Sequence, residues 1–415
     1  MSADGLHDRQ LPAPGVWSPW RTVLGFGVVS LSADLVYEGA RSITGPLLAS
    51  LGASALLVGV VTGAGEAIAL VLRLFFGSLA DRTGNYWGLT LIGYALTAVC
   101  VPLLAITPFI GAAGLTVACV LILAERTGKA VRSPSKSALL AQAAGQVGLG
   151  RGFGVHKALD QIGAFSGPLI VAGVVAVSAA IWPAMAVLAI PGALSITLLL
   201  WIKRKMPDPP VADNTVVEQG PIARNFGMDL PRPFFIFATA AGAATAGLVT
   251  YGLIGFHLAE ERIVPVAGVP VLYALAMAVA AVAALASGWF FDLWGGKVLF
   301  ALPVLVSLVP PLALSSRLPL VVAGVCVWGA AVGVQDSTVK ALVADLVPAP
   351  KRATAYGVFA AIQGGAAIAG GALAGYLYSR SIISLTIIIA VVQAAALVLL
   401  IVNTRAVRSG SSKVR

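Results

Sequence analysis

Residues 77–84 read Gly-Ser-Leu-Ala-Asp-Arg-Thr-Gly, a charged turn bounded by glycines that interrupts two long apolar segments. Residues 288–297 read Gly-Trp-Phe-Phe-Asp-Leu-Trp-Gly-Gly-Lys and repeat the order of glycine, aspartate, glycine and basic residue. One such turn is ordinary for two helices joined through an aspartate N-cap. Two copies, at matching positions in two apolar halves, instead predict a duplicated chain.

A second internal match supports the duplication. Residues 152–156 (Gly-Phe-Gly-Val-His) and the downstream Gly167 align with residues 355–359 (Ala-Tyr-Gly-Val-Phe) and Gly370 at a constant spacing of 203 residues. Parallel repeats of this kind, related by an axis along the membrane normal, are one plan of secondary transporters.

The composition is that of a polytopic membrane protein. The 415 residues are 59% hydrophobic and only 11% charged, with a mean hydropathy of +0.94, whereas soluble domains are roughly 25% charged. A membrane-spanning helix needs about 20 apolar residues. About twelve such segments can be placed between Arg21 and Asn403, so we expect an all-α membrane protein with twelve transmembrane helices.

The spans divide into two pseudo-symmetric six-helix bundles around one long polar stretch. That stretch, residues 203–232, is rich in proline and charge and is interpreted as a cytoplasmic linker. The expected divisions are a cytoplasmic tail at 1–21, bundles at 22–202 and 233–403, and a second cytoplasmic tail at 404–415.

The basic residues behind the net charge of +10 lie mainly in the two tails and in every second connection between the spans. By the positive-inside rule these connections are cytoplasmic, which predicts a multi-pass protein of the cytoplasmic (inner) membrane with both termini inside. Nucleic-acid binding is disfavoured, because no basic cluster is interleaved with exposed aromatic residues. The expected partners are the lipid bilayer, protons and a small-molecule substrate, and we expect a monomer.

The histidines and cysteines of the sequence do not form a pattern typical of a catalytic or metal site. The three histidines, His7, His156 and His257, lie on distant segments, and the three cysteines lie inside apolar segments without metal-type spacing. We therefore expect neither a cofactor nor a metal ion. A membrane-embedded enzyme is the weakest of the functional readings.

The duplicated turn resembles the cytoplasmic-loop signature of the major facilitator superfamily, G-x-x-x-D-[RK]-x-G-[RK]-[RK]. The resemblance implies conformational-switch loops, in which the aspartate caps a helix start and pairs with basic residues between the bundles. Asn85 and Leu293 depart from the pattern. The matching residues are Gly77, Asp81, Arg82 and Gly84 in the first copy and Gly288, Asp292, Gly295 and Lys297 in the second.

Two further stretches are similar to exporters of that superfamily. Gly163, Gly167 and Pro168 resemble the helix 5 signature of antiporters, G-x-x-x-G-P-x-x-G-G, without its last two glycines. Residues 125–136 are similar to an Asp-Arg-x-Gly-Lys-Gly-x-Arg stretch of a bacterial group mostly regarded as exporters, with Glu125 in place of the aspartate. Both resemblances imply efflux.

Ionisable side chains within the spans indicate a polar cavity, because each costs about 2.5 to 3.5 kcal/mol at the centre of an inserted helix. A set of ion pairs that only braces the first bundle is the alternative. The proton-coupling candidates are Asp34, Glu38, Glu66, Glu125 and Asp160. The substrate-cavity candidates are Tyr37, Arg41, Arg73, Arg126, Lys129, Arg132, His156, Asp336 and Lys340.

Asp34 and Glu38 lead the coupling candidates, because their spacing places them one turn apart on one helix face. Two like charges there favour a proton on one carboxyl, unless a cation such as Arg41 or Lys129 lies between them. His156 and Asp160 form a second pair with the same spacing, for which a structural role is favoured.

A proton-coupled exporter of a small polar or amphiphilic solute is the function favoured by these patterns. A proton- or ion-coupled importer is the alternative, since the fold permits either direction. A passive channel fits less well, because two unequal halves with a central linker favour alternating access. The charges of the first half suit a polar, zwitterionic or anionic solute, and the apolar second half suits an amphiphile.

Overall fold

The computed structural model describes residues 17–206, 230–347 and 351–411. Most of the predicted N-terminal tail and linker lies outside these ranges, as do the last residues of the chain. Inside them the secondary structure is helical and contains no β-strand. This agrees with the predicted all-α membrane protein.

The first half begins with four long helices and a fifth that follows a glycine-bounded joint. Proline and serine start α1, where Ser18 accepts a hydrogen bond from the Arg21 backbone N–H at 3.4 Å. A 3₁₀ turn at Leu104–Phe109 extends α3. The helices are α1 (Pro19–Ser50), α2 (Ala55–Thr83), α3 (Tyr86–Leu103), α4 (Gly114–Gly145), α5 (Leu149–Ser178), α6 (Trp182–Val187) and α7 (Ala189–Lys205).

The second half repeats the plan with its own breaks. Its last helix continues to Ser411 and so enters the segment 404–415, which we expected to be a tail. The helices are α8 (Arg232–Gly247), α9 (Tyr251–Glu260), α10 (Gly268–Trp294), α11 (Ala301–Ala313), α12 (Leu318–Leu346), α13 (Arg352–Tyr378) and α14 (Ile382–Ser411).

Eleven helical stretches in the described ranges are long and apolar enough to cross a bilayer. The longest, Gly268–Ala313, has 46 residues. At ~1.5 Å per residue it would be about 69 Å long, more than twice the ~30 Å hydrocarbon core. Gly295, with φ of 60°, and the 3₁₀ turn Gly295–Phe300 divide it into α10 and α11. The described chain therefore fits the predicted twelve spans.

One of the expected spans is broken in the second half. Helix α8 ends at Gly247 and α9 begins at Tyr251, with Leu248 and Thr250 in extended conformations. The freed carbonyl of Val249 accepts a hydrogen bond from the Trp328 indole at 2.8 Å. Non-helical backbone at membrane depth requires such partners, because lipid offers none.

The two bundles press together at the end that holds residues 51–54, which we call the opposite end. There α2 packs on α13, and a Cβ atom on either Gly59 or Gly371 would collide with the carbonyl of the other. Backbones approach this closely only where side chains are absent. At the duplicated-turn end, a Cβ on Gly288 would meet no atom within 4 Å, and one on Gly77 would meet only Pro134 of its own bundle.

The structure corrects the predicted capping role of the duplicated aspartates. Asp81 lies in the last turn of α2 and Asp292 in the last turns of α10, so neither begins a helix. Asn85 caps α3 instead, its Oδ1 atom accepting from the Gly88 N–H at 3.0 Å. Asp81 accepts a hydrogen bond from the Tyr86 hydroxyl at 3.1 Å. Among the side chains that the structure describes, neither aspartate forms an ion pair.

Candidate functional site

Seven of the predicted residues meet between α1, α2 and α4 in what we call the central cluster. Helical spacing places the three α1 residues on one face and the three α4 residues opposite them. The α2 residue lies between the two helices. The members are Tyr37, Glu38, Arg41, Glu66, Glu125, Arg126 and Lys129.

Two arginines hold one carboxylate in this cluster. The Nη2 atom of Arg41 lies 2.6 Å from Oε1 of Glu66, and Nη1 of Arg126 lies 3.8 Å from the same oxygen. Arg41 also reaches Glu38 at 3.9 Å, and Arg126 reaches Glu125 at 3.4 Å. Charges taken out of water need partners of this kind, so each predicted arginine of the cluster is paired.

The ring of Tyr37 contacts two cations. The guanidinium of Arg126 is 4.3 Å from the ring centroid and the Lys129 ammonium is 3.6 Å from it. The Tyr37 hydroxyl also accepts a hydrogen bond from Arg126 Nη1. Cation–π contacts stabilise cations more strongly when they are desolvated, so this buried ring retains positive charge beside the carboxylates.

One contact of the central cluster crosses the bundle interface. The Tyr273 hydroxyl on α10 donates a hydrogen bond to Oε2 of Glu38 at 2.5 Å. Tyr273 is fully buried and Glu38 is 8% exposed. The ring of Tyr273 packs edge-on against Tyr251 with their centroids 4.5 Å apart. A carboxylate of the first bundle is thereby joined to the aromatic core of the second.

A space that is partly open to solvent borders the central cluster. The walls come from α1, α2, α4 and the α8–α9 break. Among the residues that line the space are Arg41, Thr62, Glu66, Arg126, Thr250 and Gly252.

A second polar group, the α5 cluster, comprises Ser30, Asp34, Lys136, Lys157 and Asp160. The Asp34 and Asp160 carboxyls lie within hydrogen-bonding reach of each other. Asp160 accepts from Ser30 at 2.9 Å and pairs with Lys157 at 2.8 Å. The Lys136 ammonium donates to Ser30 at 3.1 Å. Asp34 thus joins Asp160, while Glu38, one turn along, joins Arg41 and Tyr273.

The antiporter-like residues explain how the α5 cluster forms. A Cβ on Gly163 would lie 2.5 Å from the Leu31 carbonyl, and one on Gly167 would lie 2.5 Å from the Leu35 carbonyl. These glycines, with Pro168 in the same helix, allow α5 to approach α1 within the first bundle. That approach carries Asp160 to Asp34.

The remaining predicted residues are more dispersed. Arg132 donates to the Thr97 hydroxyl and lies 4.8 Å from the Tyr94 ring centroid. His156 is buried, and its Nε2 atom has no hydrogen-bond partner among the described residues. The predicted His156–Asp160 pair is therefore not formed by a hydrogen bond in the described structure.

The predicted cavity residues nearest the duplicated-turn end do not join either cluster by a hydrogen bond or ion pair among the described side chains. Arg73 of α2 is half-buried, and its charge interacts with that of exposed Asp336 on α12. The Lys340 side chain lies outside the described residues, so its predicted place in the cavity stays a prediction.

Four residues in these clusters or bonded to them were not predicted as site residues: Ser30, Lys136, Lys157 and Tyr273. Lys136 continues the helix face of Glu125, Lys129 and Arg132, so its spacing could have identified it. Tyr273 carried no such signal, because it is an isolated aromatic residue in an apolar segment of the second half.

Comparisons with known proteins agree with this fold. The model of the Major Facilitator Superfamily matches residues 26–309 and 256–415. An uncharacterized protein of Mycobacterium tuberculosis (strain ATCC 25618 / H37Rv) is 50% identical over 384 residues, which cover 92% of this chain and 93% of the relative. An uncharacterized MFS-type transporter of Methanocaldococcus jannaschii is 24% identical over 395 residues, 92% of each chain.

Solved structures share the fold at low sequence identity. A mutant of the nucleoside transporter NupG superposes with a TM-score of 0.73 at 17% identity, covering 92% of this chain and 99% of that one. A POT family transporter in complex with 5-aminolevulinic acid gives 0.67 at 14% identity, covering 92% and 95%. The chain belongs to the major facilitator superfamily, and it is a multi-pass membrane transporter, not an enzyme.

Proposed function

We propose that the protein is a proton-coupled exporter of a small polar or amphiphilic solute that works by alternating access. Its first bundle carries the coupling carboxylates, and the space beside the central cluster receives the solute. The duplicated turns at Asp81 and Asp292 act as the switch loops. Positive loop charge supports a cytoplasmic-membrane location with both termini inside, and the chain acts as a monomer.

The hydrogen bond between Tyr273 and Glu38 carries the proposal of proton coupling. An ionised Glu38 accepts from Tyr273 and is attracted to Arg41, whereas a protonated one loses the attraction to Arg41. Charge-assisted hydrogen bonds are roughly twice as strong as neutral ones. The proton on Glu38 therefore changes the strength of a contact that holds the bundles together at the opposite end.

The α5 cluster supplies a second place for a proton. Two carboxyls within hydrogen-bonding reach repel each other when both are ionised, so a proton or a cation must lie near them. Lys157, which pairs with Asp160 at 2.8 Å, and the nearby Lys136 provide the cations in this conformation. Movement of α4 or α5 during the transport cycle changes the distance from Lys136 to Asp160, and the proton affinity of the pair changes with it.

Export is the direction we propose, supported by the partial antiporter signature in α5. The outward direction requires that inward proton flow drives solute out of the cell. The tight contact at Gly59 and Gly371 closes the opposite end in this conformation, and by the charge rule that end is outside the cell. The conformation is then the one in which an exporter takes up its solute.

The test uses full-length protein in proteoliposomes of known orientation, with a solute selected by thermal-shift screening against metabolite and drug panels. A pH gradient of either sign is imposed. We expect the solute to move against its own gradient only when protons flow the other way. Movement of solute in the same direction as protons would assign an importer, and indifference to both gradients would remove proton coupling.

Membrane orientation is tested separately. A reporter fused after Arg415 is expected in the cytoplasm, and one inserted at Ala267 is expected outside it. The reverse labelling contradicts the orientation that we propose.

A further inference from the structure

The space beside the central cluster has an unusual set of polar walls. Arg41 and Arg126 line it with a single acid, Glu66, so the charged groups on its surface carry one surplus positive charge. Thr62 and Thr250 add hydroxyls that hydrogen-bond to each other at 2.8 Å across the bundle interface. The two guanidinium groups therefore lie behind one accessible carboxylate, that of Glu66.

Both guanidinium groups are directed at the same atom, Oε1 of Glu66, at 2.6 and 3.8 Å. The Glu66 side chain is 35% exposed, whereas that of Arg126 is 9% exposed. Glu66 is thus the accessible member of the group, and its carboxylate occupies the place that a ligand oxyanion would take. Arginine is suited to this role because its planar donors match carboxylate and phosphate oxygens.

The broken span supplies a further positive element. Thr250, Tyr251 and Gly252 line the space, and Tyr251 is the first residue of the ten-residue helix α9. Thr250 caps this helix by accepting a hydrogen bond from the Leu253 N–H at 3.4 Å, whereas the N–H groups of Tyr251 and Gly252 have no acceptor within the helix. The helix dipole makes that end positive. Trp328 and Val249 hold the break in place through their 2.8 Å hydrogen bond.

The alternative is that Arg41 and Arg126 only stabilise the first bundle through ion pairs, and this explains fewer of their contacts. Arg126 already pairs with the buried Glu125, and Arg41 is within reach of the buried Glu38. Ion pairs with a structural role alone would require neither the partly exposed Glu66 carboxylate nor the open space beside it. Buried ion pairs without a functional role are often replaceable by apolar packing.

We propose that this space binds an oxyanion group of the transported solute, a carboxylate or a phosphate, between Arg41, Arg126 and the first turn of α9. Glu66 competes with the solute for the two guanidinium groups. The inference rests on the proposed transport function but not on proton coupling. It narrows the solute to a small organic anion. An inside-negative potential drives anions outward by about 2.3 kcal/mol per charge per 100 mV, which suits export.

The experiment measures equilibrium binding to the full-length protein in nanodiscs, with no gradient present. Inorganic phosphate and succinate are titrated at constant ionic strength, with glycerol as the uncharged probe, and the change in tryptophan fluorescence gives Kd. The variants are Arg126→Gln, Arg41→Gln and Glu66→Gln. Arg21→Gln removes an exposed guanidinium from the same helix as Arg41 and is the matched control.

We expect wild type to bind at least one oxyanion and not glycerol. Arg41→Gln and Arg126→Gln should each raise Kd about tenfold or more, the scale of a lost charged hydrogen bond. Glu66→Gln should lower Kd several-fold, because it removes the competing carboxylate, and Arg21→Gln should leave Kd unchanged. Binding of phosphate alone, or of succinate alone, identifies which oxyanion the site prefers.

Arg41→Gln is expected to raise Kd and Glu66→Gln to lower it. The proposal can therefore be tested even if Arg126→Gln fails to fold. Absence of oxyanion binding by both wild type and Glu66→Gln overturns the proposal. So does an unchanged Kd in Arg41→Gln and Glu66→Gln. Because no proton gradient is used, either outcome leaves the coupling test untouched, and a failure of coupling leaves these Kd values untouched.

Discussion

The hydroxyl of Tyr273 in the second bundle donates a hydrogen bond to Glu38 in the first, with the two oxygens 2.5 Å apart. A second hydrogen bond between described side chains, Thr62 with Thr250 at 2.8 Å, also crosses the bundle interface, but it involves no ionisable group. The Glu38 contact is therefore the point at which the charge of a carboxyl and the closure of the transporter are most directly connected.

Removing the Tyr273 hydroxyl should loosen the opposite end. Tyr273→Phe loses a hydrogen bond to a charged group, worth about 1.5 to 3 kcal/mol, and leaves Glu38 with Arg41 as its partner. We expect the population of molecules open at the opposite end to rise roughly tenfold or more, by the same principle. The measurement is the distance distribution between spin labels at Ser50 and Arg380.

Tyr376→Phe is the matched control for this change, because it also removes one hydroxyl from a tyrosine, one that is exposed. Its distance distribution should equal that of the unsubstituted protein. Identical distributions for Tyr273→Phe and Tyr376→Phe would show that the Glu38 contact does not hold the bundles together.

The contact between Gly59 and Gly371 should be intolerant of a single methyl group. Gly371→Ala places a Cβ against the Gly59 carbonyl, so the closed opposite end becomes strained. We expect transport to fall while the protein stays folded, with longer distances between the labels at Ser50 and Arg380. Gly365→Ala is the control in the same helix, since its Cβ would meet nothing within 4 Å.

Both alanine variants gain the same intrinsic helix preference, about 1 kcal/mol over glycine. Any difference between them therefore reports the interface contact. Equal transport rates for the two variants would contradict close packing of α2 on α13.

Lys136 and Asp160 should be energetically coupled. Asp160→Asn leaves Lys136 without its main anionic neighbour, and Lys136→Gln leaves Lys157 as the only cation of the α5 cluster beside Asp34 and Asp160. We expect each single variant to melt earlier and the double variant to recover part of the loss, with a coupling of roughly 0.5 to 3 kcal/mol. Thermal unfolding in detergent measures the cycle, and strictly additive losses would show that the two charges do not interact.

Much of the fold follows from hydropathy and repetition. Twelve apolar segments and the duplicated turn predict the architecture, because lipid leaves few alternatives to a helix. The break at residues 248–250 was missed, since its Leu-Val-Thr sequence contains neither proline nor glycine and looks like any apolar span. Its partner, the Trp328 indole, comes from a helix about 80 residues away and is visible only in the fold.

The sequence identified many of the residues of the candidate site, but it did not show which of them contact each other. Charges within the spans identified the central cluster, because each needs a partner in lipid. Asp34 was grouped with Glu38 from the spacing within α1 alone. The close packing of α5 on α1 at Gly163 and Gly167, which brings Asp160 next to Asp34, could not be seen from that spacing. The capping role assigned to Asp81 failed because α2 continues to Thr83, past the aspartate.

The most direct test of the account compares Glu38→Gln and Asp34→Asn with the unsubstituted protein in proteoliposomes, measuring solute movement driven by a pH gradient and solute exchange without one. Glu261→Gln, which neutralises an exposed acid at the end of α9, is the control. We expect Glu38→Gln and Asp34→Asn to lose gradient-driven movement and keep exchange, and Glu261→Gln to keep both. Gradient-driven movement at the unsubstituted rate in both Glu38→Gln and Asp34→Asn would contradict the account.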